Sequence, residues 1–351
     1  MKKAVSILTA ACLALSLAAC SSGSPSSAAA DPSSTSDTSE SSSAETAEDT
    51  GTDASAAAYT IGICQQQPHE ALDAATQGFK DALVEAFGED GVTFDEQNAQ
   101  GDSNTCATII NGFVSGGYDL IMANGSSALQ AAAAGTADIP ILGTSVTEYG
   151  VALGIDGFDG TVGGNVSGTS DLAPLDQQAQ MLADFFPADQ YPTVGMLYCS
   201  AEPNSAYQVE QVTNYLTEMG YTVEDYSFSD SNDLATIATN ASTSCDVLYI
   251  PTDNTAASNT EIIQNICLPA EVPIIAGEQG ICSGCGVATL SISYYDLGYA
   301  TGEMAVQVLT GEADISTMPI EYAPNFTKMY NPSNCEALNI TVPDDYVAIE
   351  G

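Results

Sequence analysis

From residue 59 onward, short apolar runs alternate with stretches whose apolar positions recur at helical spacing. Tyr59 to Cys64 is such a run; Leu72, Ala75, Phe79, Ala82 and Ala86 then mark one helix face, and Val92 to Ala99 has β character. Ser103 is placed to cap a helix carrying Cys106, Ile109, Ile110 and Phe113. Leu120 to Asn124 reads as a buried strand, Ser126 as the start of an alanine-rich helix, and Pro140 to Gly143 and Val151 to Ile155 as further strands. A second series opens with a strand at Val194 to Cys199, a helix from Asn204 to Met219 and a strand from Thr222 to Ser229. Val247 to Thr252, a helix through Ile262, Ile263 and Ile266, and Pro273 to Gly277 complete it. Repeated strand–helix units joined by short turns require parallel sheets covered on both faces, so the pattern predicts an α/β protein of two similar lobes. The glycines between Gly160 and Gly168 interrupt the alternation and are the expected first crossing between lobes.

The first 58 residues follow a different rule. Lys2 and Lys3 precede an apolar stretch from Ala4 to Ala19, which is shorter than the roughly 20 residues a membrane-spanning helix needs. It ends on Leu17-Ala18-Ala19-Cys20, which resembles a bacterial lipoprotein signal: residues 1–19 are the expected signal peptide and Cys20 the expected lipidation site. Two acyl chains suffice for stable anchoring. Residues 21 to 58 contain only Ser, Thr, Ala, Gly, Pro, Asp and Glu, so 20–58 is the expected disordered tether, with a root-mean-square span of roughly 35 Å.

Charge narrows the choice of partner. The 351 residues carry 46 Asp plus Glu against 4 Lys, no Arg and 1 His, a formal net charge of -42. So acidic a chain has nothing with which to displace counterions from a nucleic acid or to dock electrostatically on an anionic bilayer. Without Arg, an anionic ligand group must be held by hydroxyls and backbone amides. In open parallel sheets, ligands bind beyond the carboxyl ends of the strands. Those ends are polar here: Gln65 to His69, Ser126 and Ser127, and Ser145 and Thr147 in the first lobe; Asn204 and Ser205, Asp253 and Asn254, and Glu278 in the second. Ser126, Asn204 and Asp253 also suit plain helix capping. If the lobes are hinged the two sets face one another, with helix amino-termini at Ser126-Ser127 and Asn204-Ser205 for an anion and Asp253 and Glu278 for an ammonium. Such a cleft suits a zwitterion.

Five segments then resemble a known family: 62–83 (GICQQQPHEALDAATQGFKDAL), 95–102 (DEQNAQGD), 201–212 (AEPNSAYQVEQV), 249–258 (YIPTDNTAAS) and 291–312 (SISYYDLGYATGEMAVQVLTGE). They are similar, in order, to stretches of the ABC-transporter substrate-binding lipoproteins whose characterised members bind tryptophan, tyrosine and phenylalanine. The resemblance implies the type I periplasmic-binding-protein fold, with two Rossmann-like lobes joined by three crossovers. It implies 59–165 plus 288–322 as one lobe and 166–287 plus 323–351 as the other. It also implies delivery of a ligand to a membrane permease. Gln65, His69, Ser127, Asn204, Ser205, Asp253 and Asn254 match the family's cleft loops. Glu70 and Glu148-Tyr149 depart from the family pattern at the mouth of the cleft. Tyr149, Phe158, Tyr207 and Tyr295 lie near cleft loops in sequence, and Tyr295 is the aromatic candidate for ligand contact.

No competing chemistry is legible. A single imidazole cannot build a multi-His metal site, no nucleophile–base motif accompanies it, and the glycine run lacks the order of a dinucleotide or phosphate loop. Neither a cofactor nor a metal is expected. Eight cysteines remain beyond Cys12 and Cys20, namely 64, 106, 199, 245, 267, 282, 285 and 335. An even number in an exported protein favours disulfides, with pairing open and buried thiols the other option; Cys282-x-x-Cys285 lacks the nearby cation a redox motif would use. The reading is therefore a monomeric, lipid-anchored, non-enzymatic receptor outside the bacterial membrane, closing on an aromatic amino acid. Its rivals are a sensor of the same fold signalling to a membrane receptor and, from another class, an extracellular hydrolase or thiol oxidoreductase.

Overall fold

A computed structural model describes residues 59–350. The signal peptide, Cys20 and the tether lie outside the described residues. The first half runs β1 (Tyr59–Gln65), α1 (Glu70–Phe87), β2 (Val92–Asn98), α2 (Ser103–Gly116) and β3 (Leu120–Asn124). It continues with α3 (Ser126–Gly135), β4 (Ile141–Val146), α4 (Tyr149–Leu153) and β5 (Val166–Ser170). The second half holds α5 (Leu175–Phe185), β6 (Thr193–Cys199), α6 (Pro203–Glu218), β7 (Thr222–Phe228) and α7 (Ser231–Ser244). Next come β8 (Val247–Ile250), α8 (Asn254–Ala257), α9 (Thr260–Cys267), β9 (Ile274–Ala276), α10 (Gln279–Cys285) and β10 (Ala288–Ser291). The chain ends with α11 (Tyr294–Thr310), β11 (Glu321–Tyr322), β12 (Thr327–Tyr330), α12 (Pro332–Ala337) and β13 (Val347–Ala348).

These strands form two sheets, ordered β11-β5-β4-β3-β1-β2 and β13-β12-β10-β9-β8-β6-β7. Pairing is parallel except between β10 and β12. Within each sheet the order places the first strand beside both the second and the third, the arrangement of a doubly wound α/β lobe. Central strands such as β3 (LIMAN) and β8 (VLYI) are buried throughout, as a sheet covered on both faces demands. The chain passes between the sheets at 171–174, at 292–293 and at 323–326.

Strand pairing moves two expected boundaries. β5 pairs with β4 in the first sheet, so the first crossing follows Ser170 rather than residue 165. β10 pairs with β9 in the second sheet, so the return follows Ser291 rather than residue 287. The supposed strand at Val151 to Ile155 is α4 and its exit: the Glu148 carboxylate caps the Val151 amide, and Gly154 ends the helix in the left-handed region with φ 65°. Asp102, not Ser103, caps α2 by accepting from the Asn104 and Thr105 amides. The disulfide expectation is also overturned. All eight cysteines of the described residues are free and buried, distributed through the lobe cores where each thiol packs as a small apolar group.

After the second crossing, α11 returns to the first sheet and lies against α1. Their approach is set by glycine: a Cβ at Gly298 would run into the Ala75 backbone, and one at Gly78 into the Tyr295 carbonyl oxygen. Replacing Gly298 with Val should therefore destabilise the protein by about 1–3 kcal/mol through overpacking. Urea unfolding checks this, and an unchanged midpoint would contradict the close α1–α11 contact.

Candidate functional site

The carboxyl ends of both sheets face a small cavity of about 10 Å³, room for about one water. The first sheet's lobe contributes His69 and Leu72 from the start of α1, Ser145 and Thr147 from the end of β4 and beyond, Asp171 just beyond β5, and Tyr294 at the start of α11. Thr252, Asp253, Asn254 and Ala257 enter from the β8–α8 turn, Asn204 from α6 and Glu278 from beyond β9. That volume is far below the ~300–1,000 Å³ usual for small-molecule sites, so the lobes must part for a metabolite to enter.

Of the expected site residues, the structure gathers His69, Ser145, Thr147, Asn204, Asp253, Asn254 and Glu278 around this cavity. Five others sit elsewhere. Gln65 is a brace under α1: its amide donates to Asp73 at 2.6 Å and to the Gln67 carbonyl, and its oxygen accepts from Thr76 at 2.7 Å. Ser126 is a buried first residue of α3, and Ser127 borders a wider open cleft beside the cavity, its amide held by the Gln66 side-chain oxygen. Ser205 is fully buried behind the cavity and turned to the Thr252 carbonyl. Tyr295 is 39% exposed and hydrogen-bonded to Asp81, because the helix register turns Tyr294 inward in its place. The other three aromatic candidates also miss the cavity: Tyr149 is core, bonded to the Thr169 carbonyl, while Phe158 and Tyr207 pack half-buried on the lobe cores.

Hydrogen bonding distinguishes the acids. Asp253 caps α8, with Oδ1 accepting from the Ala256 amide and Oδ2 from the Cys199 amide. Glu278 caps α10 through the Gly280 and Ile281 amides. Glu202, at the start of α6, accepts from the Asn254 amide and side chain and from the Thr255 amide and hydroxyl. Asp253 and Glu278, expected to meet an ammonium, each already accept two backbone amides, one on each oxygen. Asp171 differs. Its Oδ2 accepts from the Tyr294 hydroxyl at 2.9 Å, while Oδ1 is buried with no partner. Sequence reasoning missed Asp171 because the glycines before it concealed β5, so it did not stand at a strand end.

Burial raises the Asp171 carboxyl above its usual range, opposed by the Tyr294 and Thr147 hydroxyls and by its own backbone amide. Asp253 is pushed up to about 7, first by burial and then by neighbouring Glu202, with its bonded amides opposing. Glu278 is likewise pushed up to about 7 by burial, against the pull of the Gly280 and Ile281 amides. No protein cation offsets this: Lys80 and Lys328, the lysines among the described residues, pair on the surface with Glu96 and Asp345. The described residues also hold no group of three or more His, Cys, Asp and Glu arranged to bind a metal ion.

Four buried polar atoms facing the cavity lack a protein partner: His69 Nδ1, Ser145 Oγ, Asp171 Oδ1 and Asn204 Oδ1. Ser145 also holds φ 53°, a conformation costly for a non-glycine residue and common at ligand sites. An enclosed space lined by unmet donors and acceptors is built for a polar guest. Two hydrogen bonds join the halves beside it, from His69 Nε2 to Asn254 Oδ1 at 3.0 Å and from Ser258 Oγ to the Pro68 carbonyl at 3.2 Å.

The chain is similar to known proteins. A tyrosine-binding protein of Clostridioides difficile (strain R20291) is 35% identical over 282 residues, covering 80% of this chain and 81% of the relative. An ABC domain from Streptococcus pneumoniae in complex with L-Trp is 32% identical, with a TM-score of 0.77 over 82% of this chain and 96% of that one. A ligand-free, open substrate-binding protein with adhesive properties from Clostridium difficile is 36% identical but has a TM-score of 0.63, over 83% and 100%. Greater overlap with the less identical, liganded protein agrees with the bonds across the cavity: the lobes are closed. A family model described as ABC transporter substrate binding protein matches residues 60–349. With its two doubly wound lobes shut on a polar cavity, and with that match across nearly all of the described residues, the chain belongs to the ABC transporter substrate-binding protein family.

Proposed function

We propose that the protein is a lipid-anchored receptor outside the bacterial membrane that closes on one aromatic amino acid and presents it to an ABC permease. The observation that carries the ligand reading is the unpartnered Asp171 Oδ1 in a closed cavity without a protein cation. The ligand's ammonium supplies the missing charge there. Ser145 and Thr147, with the amino-terminus of α6, which has no side-chain cap, receive the carboxylate, in keeping with the lack of Arg. The aromatic side chain is inferred from the tyrosine-binding relative and the neighbour that holds L-Trp. The lobes act as rigid halves hinged at 171–174, 292–293 and 323–326, and binding shifts the population towards the closed form that the permease reads.

The anchor is Cys20, exposed by removal of residues 1–19, and residues 20–58 are the tether between membrane and receptor. The receptor works as a monomer and performs no chemistry on its ligand. Burial pushes the Cys282 and Cys285 thiols well above their ordinary range, so neither offers the thiolate that disulfide exchange requires. His69 has no nucleophile beside it; the Nε2 partner is an amide oxygen.

In titration calorimetry, L-tyrosine, L-tryptophan or L-phenylalanine should bind, and Asp171→Asn should weaken that binding by about ten- to a hundred-fold. Unchanged affinity in the variant would remove Asp171 from the ammonium site.

The acids also set a pH dependence. Between the unfolded carboxyl range near 4 and the folded value of about 7 for Asp253 and Glu278, the folded protein binds more protons than the unfolded chain. Stability of the ligand-free protein should therefore fall as pH rises through that window. Affinity for the amino acid should rise over the same window, because ionised Asp253 and Glu278 on the cavity attract an ammonium held at Asp171 through space. Thermal melts and calorimetry from pH 5 to about 8 check both signs; a melting temperature that climbs with pH would contradict the assignment.

A further inference from the structure

The bridge between the lobes fixes the protonation of His69. Asn254 Nδ2 donates to Glu202 Oε2 at 2.6 Å, and inverting that amide would set its oxygen against a carboxylate. Asn254 Oδ1 therefore faces His69 Nε2 at 3.0 Å and can only accept, so Nε2 carries the hydrogen. Burial lowers the imidazole pKa, against the opposing pull of Asn254, Glu202 and Asp73; Asp171, Asp253 and Glu278 are the other acids on the cavity. The ring is neutral, and Nδ1 is a bare acceptor, buried and unpartnered. Leu72 lies one helical turn beyond His69 and Ala257 near Asn254, and these two are the aliphatic members of an otherwise polar lining. Asp171, the carboxylate proposed to take the ammonium, is held by Tyr294 and not by His69.

Resting on the aromatic amino-acid reading above, we propose that His69 is a specificity-determining residue whose Nδ1 accepts a hydrogen bond from a donor on the ligand's ring, a phenol O–H or an indole N–H. Glu202 and Asn254 are positioning residues that hold the required tautomer. A benzyl ring in the same position would leave Nδ1 unpaired. Phenylalanine should then bind about ten- to a hundred-fold more weakly than tyrosine or tryptophan.

The test is calorimetry of the wild type, His69→Gln and His69→Asn with L-tyrosine, L-tryptophan and L-phenylalanine. Gln keeps an N–H for Asn254 but has nothing at the Nδ1 position, whereas Asn can place its oxygen there. His69→Gln should erase the preference while changing phenylalanine affinity by no more than about threefold, and His69→Asn should retain part of it. Equal losses for all three ligands in His69→Gln would make His69 a lobe latch only and overturn the proposal. So would a wild type that binds phenylalanine as tightly as tyrosine and tryptophan. A wild type that binds none of the three overturns the aromatic reading and this inference with it.

Discussion

Closing two acidic lobes on a cavity without a protein cation is the constraint from which the rest of the site follows. Asp171, Asp253, Glu278 and Glu202 are all buried. An unpaired carboxylate in such surroundings costs several kcal/mol, so each must find partners or take up a proton. Three of the four find partners in helix amides and neighbouring side chains. Asp171 keeps one oxygen unmet, and in the proposed reading a guest that brings positive charge completes it. Binding and closure become one equilibrium, and reversing a 1:99 population to 99:1 takes about 5.5 kcal/mol of differential affinity.

The fold supplies this device through rigid parts. Parallel strands deliver their carboxyl ends to one face of each lobe, and the turns that follow carry the polar groups. Second-lobe residues are held by a dense set of bonds: Asn204 and Gln208 both donate to the Thr252 carbonyl, and Glu202 clamps the start of α8. The first lobe contributes fewer bonded groups, with His69 Nδ1, Ser145 Oγ and Asp171 Oδ1 all open. With Asn204 Oδ1 the one open atom of the second lobe on the cavity, most of the unmet polarity lies on the first, an arrangement that a ligand completes.

Much of this was legible from residue order, and the failures have physical causes. Alternating apolar periods gave the βα repeat, since a strand buried on both faces, such as Leu120 to Asn124, leaves little ambiguity. Val151 to Ile155 misled because its β-branched residues suit a strand, while a carboxylate cap at Glu148 and a left-handed Gly154 decide for a helix. Gly163, Gly164 and Gly168 obscured β5, and with it Asp171. Adjacent Tyr294 and Tyr295 could not be separated without the rotation of α11, which the Gly78 and Gly298 contacts fix. Asp253 and Glu278 were recognisable as polar strand ends, but their use of lone pairs on local amides is a matter of turn geometry that residue type does not encode.

The amino group of the ligand is the point at which the account is most exposed. Calorimetry of the described receptor with L-tyrosine and with 3-(4-hydroxyphenyl)propionate, which differ only in that group, tests it most directly. The account predicts measurable binding of the amino acid and none of the deaminated acid. Comparable affinity for both would contradict it, since no charge would then be needed to close the cavity.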